Sequence, residues 1–168
     1  MTYRKKGKKL DLVRATGINH VSIAARDLDE STRFYVEVLG MEPIATPVFA
    51  TRVQWLRCGA LQLHLFLDEE GEAPARHHLG LTVDDFDAAY DAVAAWTDAE
   101  WGNDLVELAS GQVQLYFRDP AGNLIELNWP DASTLDRTKY PQLRRLVEVV
   151  PQTEESLQAV LYLDPVRA

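Results

Sequence analysis

With 168 residues, 46% of them hydrophobic, the chain is long enough for one well-formed core, while a formal charge of −9 makes a poor surface for nucleic acid or anionic membranes. Its single cysteine, Cys58, excludes an internal disulfide framework and a thiolate metal cluster, and fits a reducing cytoplasm. No apolar run is long enough to span a bilayer.

Residues 1–16 cluster Arg4, Lys5, Lys6, Lys8 and Lys9 with no apolar stretch, so a flexible basic segment is expected here rather than a secretory signal. From His20 the sequence alternates: His20, Ser22 and Ala24 against Val21, Ile23 and Ala25, the period of a strand. Asp27 or Asp29 can cap the following helix, whose apolar stripe is Leu28, Phe34, Tyr35, Val38 and Leu39. Gly40 stands where a helix end favours positive φ. Short extended segments follow, including "VQWLRC" and "LQLHLF", and then the linker "DEEGEAPAR", Asp68 to Arg76.

After the linker the chain repeats itself. "HVSIAARDLDES" lies over "HLGLTVDDFDAA", so that Asp27 falls on Asp85; "LQLHLF" lies over "NLIELN", which sets His64 on Glu126. "VQWLRC" lies over "VQLYFR", matching Gln54 to Gln114, and the longer turn "RDPAGN" carries Pro and Gly suited to a reversal. Phe86, Tyr90, Val93 and Trp96 form the second helical stripe. The predicted fold class is α+β: two βαβββ modules, residues 17–67 and 77–130, within one domain at 17–130. Beyond it, 131–168 reads as a helical extension, with "YPQLRRLVEVV" and "EESLQAVLYL" broken by Pro151. Its apolar residues are expected to pack on the domain or on a partner subunit.

Strand parity then sorts the faces, because side chains two apart share one. His20 and His78 lead small-residue rows; Gln62 and His64, then Glu126 and Asn128, stand opposite aliphatic rows; Gln112, Gln114 and Tyr116 oppose Val113, Leu115 and Phe117. Polar residues therefore collect on the sheet face away from the helices. A carboxylate flanked by Leu124, Ile125 and Leu127 is costly to bury unpaired, so Glu126 needs a cation, a donor or a raised pKa. The bland partners are Arg57 or Arg118. The sharper reading is a divalent metal held by His20, His64, His78 and Glu126, equivalent positions of the repeat, whose nitrogen and oxygen donors suit Fe, Mn, Co, Ni or Zn. His77 has the opposite parity and belongs to the surface or the ligands' surroundings. Gln54, Gln62, Gln114, Tyr116 and Asn128 are candidate substrate-facing donors.

The stretches "INHVSIAARDLDESTRFYVEVLGMEP", "HHLGLTVDDFDA" and "LYFRDPAGNLIELNWP" resemble the vicinal oxygen chelate superfamily, which includes glyoxalase I, bleomycin-resistance proteins, fosfomycin thiol transferases and extradiol dioxygenases. The resemblance implies a curled mixed sheet around a metal cleft, often completed in a homodimer, with ligands at the four positions already selected. It implies one divalent ion, a small substrate bearing adjacent oxygens, and lyase, isomerase or dioxygenase chemistry in which Glu126 is the catalytic carboxylate. His64 departs from the pattern, standing where glyoxalase I has a second glutamate and some relatives glutamine. The alternative is a non-catalytic binding protein of the bleomycin-resistance type.

Overall fold

The computed structural model describes Ala15, residues 17–96 and residues 105–162. The basic cluster of the first segment lies outside the described residues.

In the first module, β1 (His20–Ala25) leads into α1 (Leu28–Glu37), then β2 (Glu42–Ile44), β3 (Val53–Cys58) and β4 (Leu61–Leu67). Asp27 is the residue that caps α1: its carboxylate accepts from the backbone N–H of Asp29 and of Glu30, both at 2.9 Å. Gly40, at φ +65°, lets the chain leave the helix. The sheet runs in the order β1-β4-β3-β2, with β1 parallel to β4 and the other pairs antiparallel.

The second module repeats the plan. It comprises β5 (His78–Thr82), α2 (Phe86–Trp96), β6 (Leu105–Glu107), β7 (Val113–Arg118) and β8 (Leu124–Trp129). Asp85, the repeat partner of Asp27, accepts from the N–H of Ala88 at 2.9 Å. Its sheet runs β5-β8-β7-β6-β9, where β9 is Arg144–Arg145. The predicted paired βαβββ modules are thus present, each with its own sheet, and β1 and β5 each form a sheet edge.

Helix α1 joins the modules. Phe34 and Tyr35 are fully buried, worth about 2–3 kcal/mol each by area alone. The Phe34 ring meets Trp96 at 5.4 Å and Phe117 at 6.2 Å. Tyr35 donates its hydroxyl to Asp119 at 2.7 Å, in the turn between β7 and β8. The same carboxylate accepts from the backbone of Ala121 and Asn123 and from the Asn123 amide, while that amide also donates to the Ala24 carbonyl on β1. Burial raises the pKa of Asp119, more than these donors lower it, and burial with the adjacent Asp119 holds the Tyr35 phenol well above its usual range.

The tail corrects the sequence reading. In place of two helices, residues 131–162 contain β9 beside β6, the single turn α3 (Leu146–Val149), and isolated 3-10 turns at Ala132–Thr134 and Ser156–Gln158. Pro141 and Pro151 leave a short segment between them, rich in β-branched valines. Arg144 and Arg145 pair with β6 instead, and Glu107 draws in both Arg145 and Arg137. Upstream, Tyr140 is buried between Phe86 and Tyr90 and donates its hydroxyl to Asp87. The tail therefore passes over α2 and then along the β6 edge.

Candidate functional site

Cross-strand register decides which side chains share a face, and it brings the predicted residues together in two pairs. On the first sheet, His20 stands opposite Gln62, and His64 lies between Ser22 and Trp55. The His64 ring is stacked between His20 at 4.4 Å and Trp55 at 4.3 Å, and only 7% of the residue is exposed. Its Nε2 is hydrogen-bonded to Gln62 Oε1 at 2.9 Å. Burial and, second, the neighbouring His20 push the His64 imidazole pKa below its usual value. His20 donates its Nδ1–H to Asn19 Oδ1, which leaves its Nε2 unengaged by that bond. With Phe49 and Phe66, these residues line a cavity of about 490 Å³.

On the second sheet, Glu126 stands opposite Gly80 on β5 and Tyr116 on β7, with Asn128 opposite Thr82 and Gln114. Glu126 is 3% exposed, and its Oε2 lies 3.3 Å from His78 Nε2. Neither bland partner reaches it: Arg57 pairs with Glu42, and Arg118 donates to the carbonyls of Gly122, Pro74 and Ala75. His78 Nδ1 faces the Arg76 carbonyl at 3.1 Å, and a carbonyl only accepts, so Nδ1 carries the hydrogen. In the neutral ring, Nε2 then presents a lone pair to a carboxylate oxygen. A proton or a metal cation must lie between two such acceptors.

That spacing fits a metal. Two donors on one divalent ion, with bonds of about 2.1 Å, sit roughly 3.0–3.4 Å from each other when they are neighbours in the coordination shell. A histidine whose second nitrogen is fixed by a carbonyl is also the usual form of a ligating histidine. The first pair fits less directly, because the His64 Nε2 is already engaged by Gln62. Among the described residues, no three or more His, Cys, Asp or Glu gather where they could hold an ion. The predicted set of four therefore lies as two separate pairs, His20 with His64 and His78 with Glu126.

The remaining candidates divide by face. Gln62, Gln114, Tyr116 and Asn128 share faces with these pairs, and the Tyr116 ring meets the edge of His78 at 5.5 Å. Gln54 does not. It pairs with Leu65, lies on the α1 side of its sheet, and donates its amide to the Trp55 carbonyl at 2.8 Å. The residue that occupies the place expected for Gln54 is Trp55, which the sequence reading passed over. A signal for it was present: β3 and β4 are joined by the two-residue turn Gly59–Ala60, with Gly59 at φ +57°. Counting outward from that turn sets Trp55 against His64.

A model of the Glyoxalase/Bleomycin resistance protein/Dioxygenase superfamily matches residues 17–127. The chain is 30% identical to "Glyoxylase I 4" of Arabidopsis thaliana, over 88% of this chain and 93% of that one. It is 28% identical to the metallothiol transferase FosB of Shouchella clausii (strain KSM-K16), over 67% of this chain and 79% of that one. Among solved structures it resembles a lactoylglutathione lyase from Agrobacterium tumefaciens, with a TM-score of 0.51 and 25% identity, covering 68% of this chain and 93% of that one.

Proposed function

The chain belongs to the Glyoxalase/Bleomycin resistance protein/Dioxygenase superfamily, and from that premise we propose that it is a divalent-metal-dependent enzyme acting on a small molecule with two adjacent oxygens. The observation that carries this reading is the His78–Glu126 pair, with the imidazole Nε2 of an exposed histidine 3.3 Å from the Oε2 of a buried carboxylate. His78 and Glu126 would supply one pair of ligands, and His20 and His64 the other. Both pairs lie on or beside the edge strands β1 and β5. An isologous dimer that sets β1 of one copy beside β5 of the other would bring the pairs together and cover both edges.

When bound, the metal would stabilise negative charge developing on adjacent substrate oxygens. The protein's own part follows from placement. Glu126 Oε1 lies on the Gly80 side, where a Cβ would come within 3.6 Å of it, and would be the oxygen that accepts or returns a proton. Asn128, Gln114 and Tyr116 face the substrate side and would orient it. His78 is held by the Arg76 carbonyl, which fixes the plane of its ring. Among the described residues the first module places His64 where the second places Glu126, so proton transfer would rest on the single carboxylate of Glu126.

A second reading has its own support. The aromatic cavity at Trp55, with His64 stacked and hydrogen-bonded, suits retention of a flat ligand without chemistry. Elemental analysis of untagged protein, purified without added metal, separates the two. The enzyme reading expects about one divalent ion per chain, lost on dialysis against chelator at mildly acidic pH. Substoichiometric metal, with no uptake on reconstitution, would leave the binding-protein reading.

A further inference from the structure

The tail, which lies largely beyond the residues matched by the family model, returns to the polar face of the second sheet. Gln112 shares the parity of Gln114 and Tyr116, and its Oε1 accepts from the Leu161 backbone N–H at 3.0 Å. The next residue, Tyr162, places its hydroxyl 3.5 Å from Thr82 Oγ1 on β5. Strand β8 runs between β5 and β7, so these two consecutive residues bridge a gap of roughly 10 Å across it. Thr82 pairs with Asn128 in the register. The Tyr162 side chain therefore crosses β8 over Asn128, roughly 7 Å along the strand from Glu126.

Asn128 bears the marks of that crossing. It belongs to the polar face yet is only 5% exposed, and its Oδ1 is buried with no hydrogen-bond partner among the described residues. The approach to the crossing is ordered by the chain itself: Thr153 and Ser156 exchange side-chain and backbone hydrogen bonds, and Ser156 Oγ donates to Gln152 Oε1. The first module has no counterpart among the described residues.

We propose that residues 159–162 form the end wall of the cleft, with Tyr162 as a specificity-determining residue that limits how far a substrate extends beyond Glu126. The Asn128 amide, under that wall, gives such a substrate a hydrogen-bonding partner at its far end, so the site selects short, polar, oxygenated molecules. Where substrate sits rests on the reading of Glu126 above; the wall itself does not.

The test needs neither metal nor substrate. In a C58A background, Asn128→Cys is labelled with methyl methanethiosulfonate and with a bulky biphenyl analogue, and far-UV circular dichroism checks folding of each variant. The full chain should react with the small reagent and exclude the bulky one. Y162A, or a chain ending at Val160, should raise the bulky reagent's rate by at least about tenfold and bring the two rates together, while Y162F should keep the discrimination. Equal discrimination in the full chain, Y162A and the truncated chain would overturn the wall. Substoichiometric metal in the elemental analysis, beside a retained labelling shift, would sink the metal reading and leave the wall standing.

Discussion

The two modules share one backbone plan and carry opposite kinds of side-chain pair at matching positions. In the first, His64 is packed as an aromatic ring, stacked on both faces and tied to Gln62. In the second, Glu126 is buried with its Oε2 3.3 Å from His78 Nε2, while His78 Nδ1 faces the Arg76 carbonyl. The register makes the contrast sharp: Ser22 and Trp55 flank His64 where Gly80 and Tyr116 flank Glu126. Duplication supplied two equivalent places on two sheets, and side-chain surroundings then gave them unequal parts. The second module pairs a buried carboxylate with an imidazole, and the first stacks its imidazole between two rings.

The largest effect that tests this contrast is on metal affinity. Glu126→Ala removes a buried carboxylate whose ion-pair partner among the described residues is His78, and should weaken binding of a divalent ion by on the order of a hundredfold or more. His64→Gln keeps a polar side chain of similar length in the first module and should cost less. Competition titration against a chromophoric chelator measures both. Equal losses would mean that the two pairs contribute alike, and two unchanged affinities would remove the ligand assignment.

How far this was legible beforehand depended on distance along the chain. The modules, the α1 and α2 stripes and the face carrying His20, His64, His78 and Glu126 follow from local periodicity, and the register preserves them. Gln54 was misplaced because matching by residue identity set it on Gln114. Register instead equates Trp55 with Tyr116, each opposite its module's key residue, a shift of one that turns a side chain to the other face. The hairpins differ in length, Gly59–Ala60 against Asp119–Asn123, and identity matching does not count loop residues. The tail was misread for a different reason. Apolar spacing suggested helices, but pairing with β6 and the Glu107–arginine contacts won, and these are long-range contacts that no window reveals. Whether four ligands meet in one chain is likewise a question of docking between sheets, which parity does not address.

A smaller effect separates stability from site geometry. A Cβ on Gly80 would meet Asn128 Nδ2 at 3.3 Å and Glu126 Oε1 at 3.6 Å. Gly80 is not among the positive-φ glycines, so alanine is free to adopt its backbone and gains up to about 1 kcal/mol through the unfolded chain, provided that the Asn128 amide gives by a few tenths of an ångström. The same methyl crowds the two polar groups beneath it, so metal affinity should fall several-fold, roughly 1 kcal/mol. Ser22→Ala, its counterpart in the first module, should leave affinity nearly unchanged. Denaturant titration and metal titration read the two signs separately; affinity loss in S22A equal to that in G80A would erase the distinction between modules.

The smallest effect is a pH dependence of the first module alone. Burial, reinforced by the neighbouring His20, lowers the His64 pKa in the folded chain. A lowered imidazole pKa means that the unfolded chain takes up a proton which the folded chain resists, once pH drops below the ordinary histidine value of about 6.5. The unfolded state then binds more protons, so stability declines as pH falls from that value toward the lowered one, and is flat in this respect above it. In metal-free protein, the denaturation midpoint should therefore fall between about pH 7.5 and about pH 5.5 by more in the wild type than in H64Q, which has no imidazole at that place. Chelator must be present throughout, since bound metal would compete with protons for the same ring nitrogens. If the wild-type and H64Q curves run parallel across this window, the stacked ring is not held neutral, and the description of the first module as an aromatic site rather than a charged one fails with it.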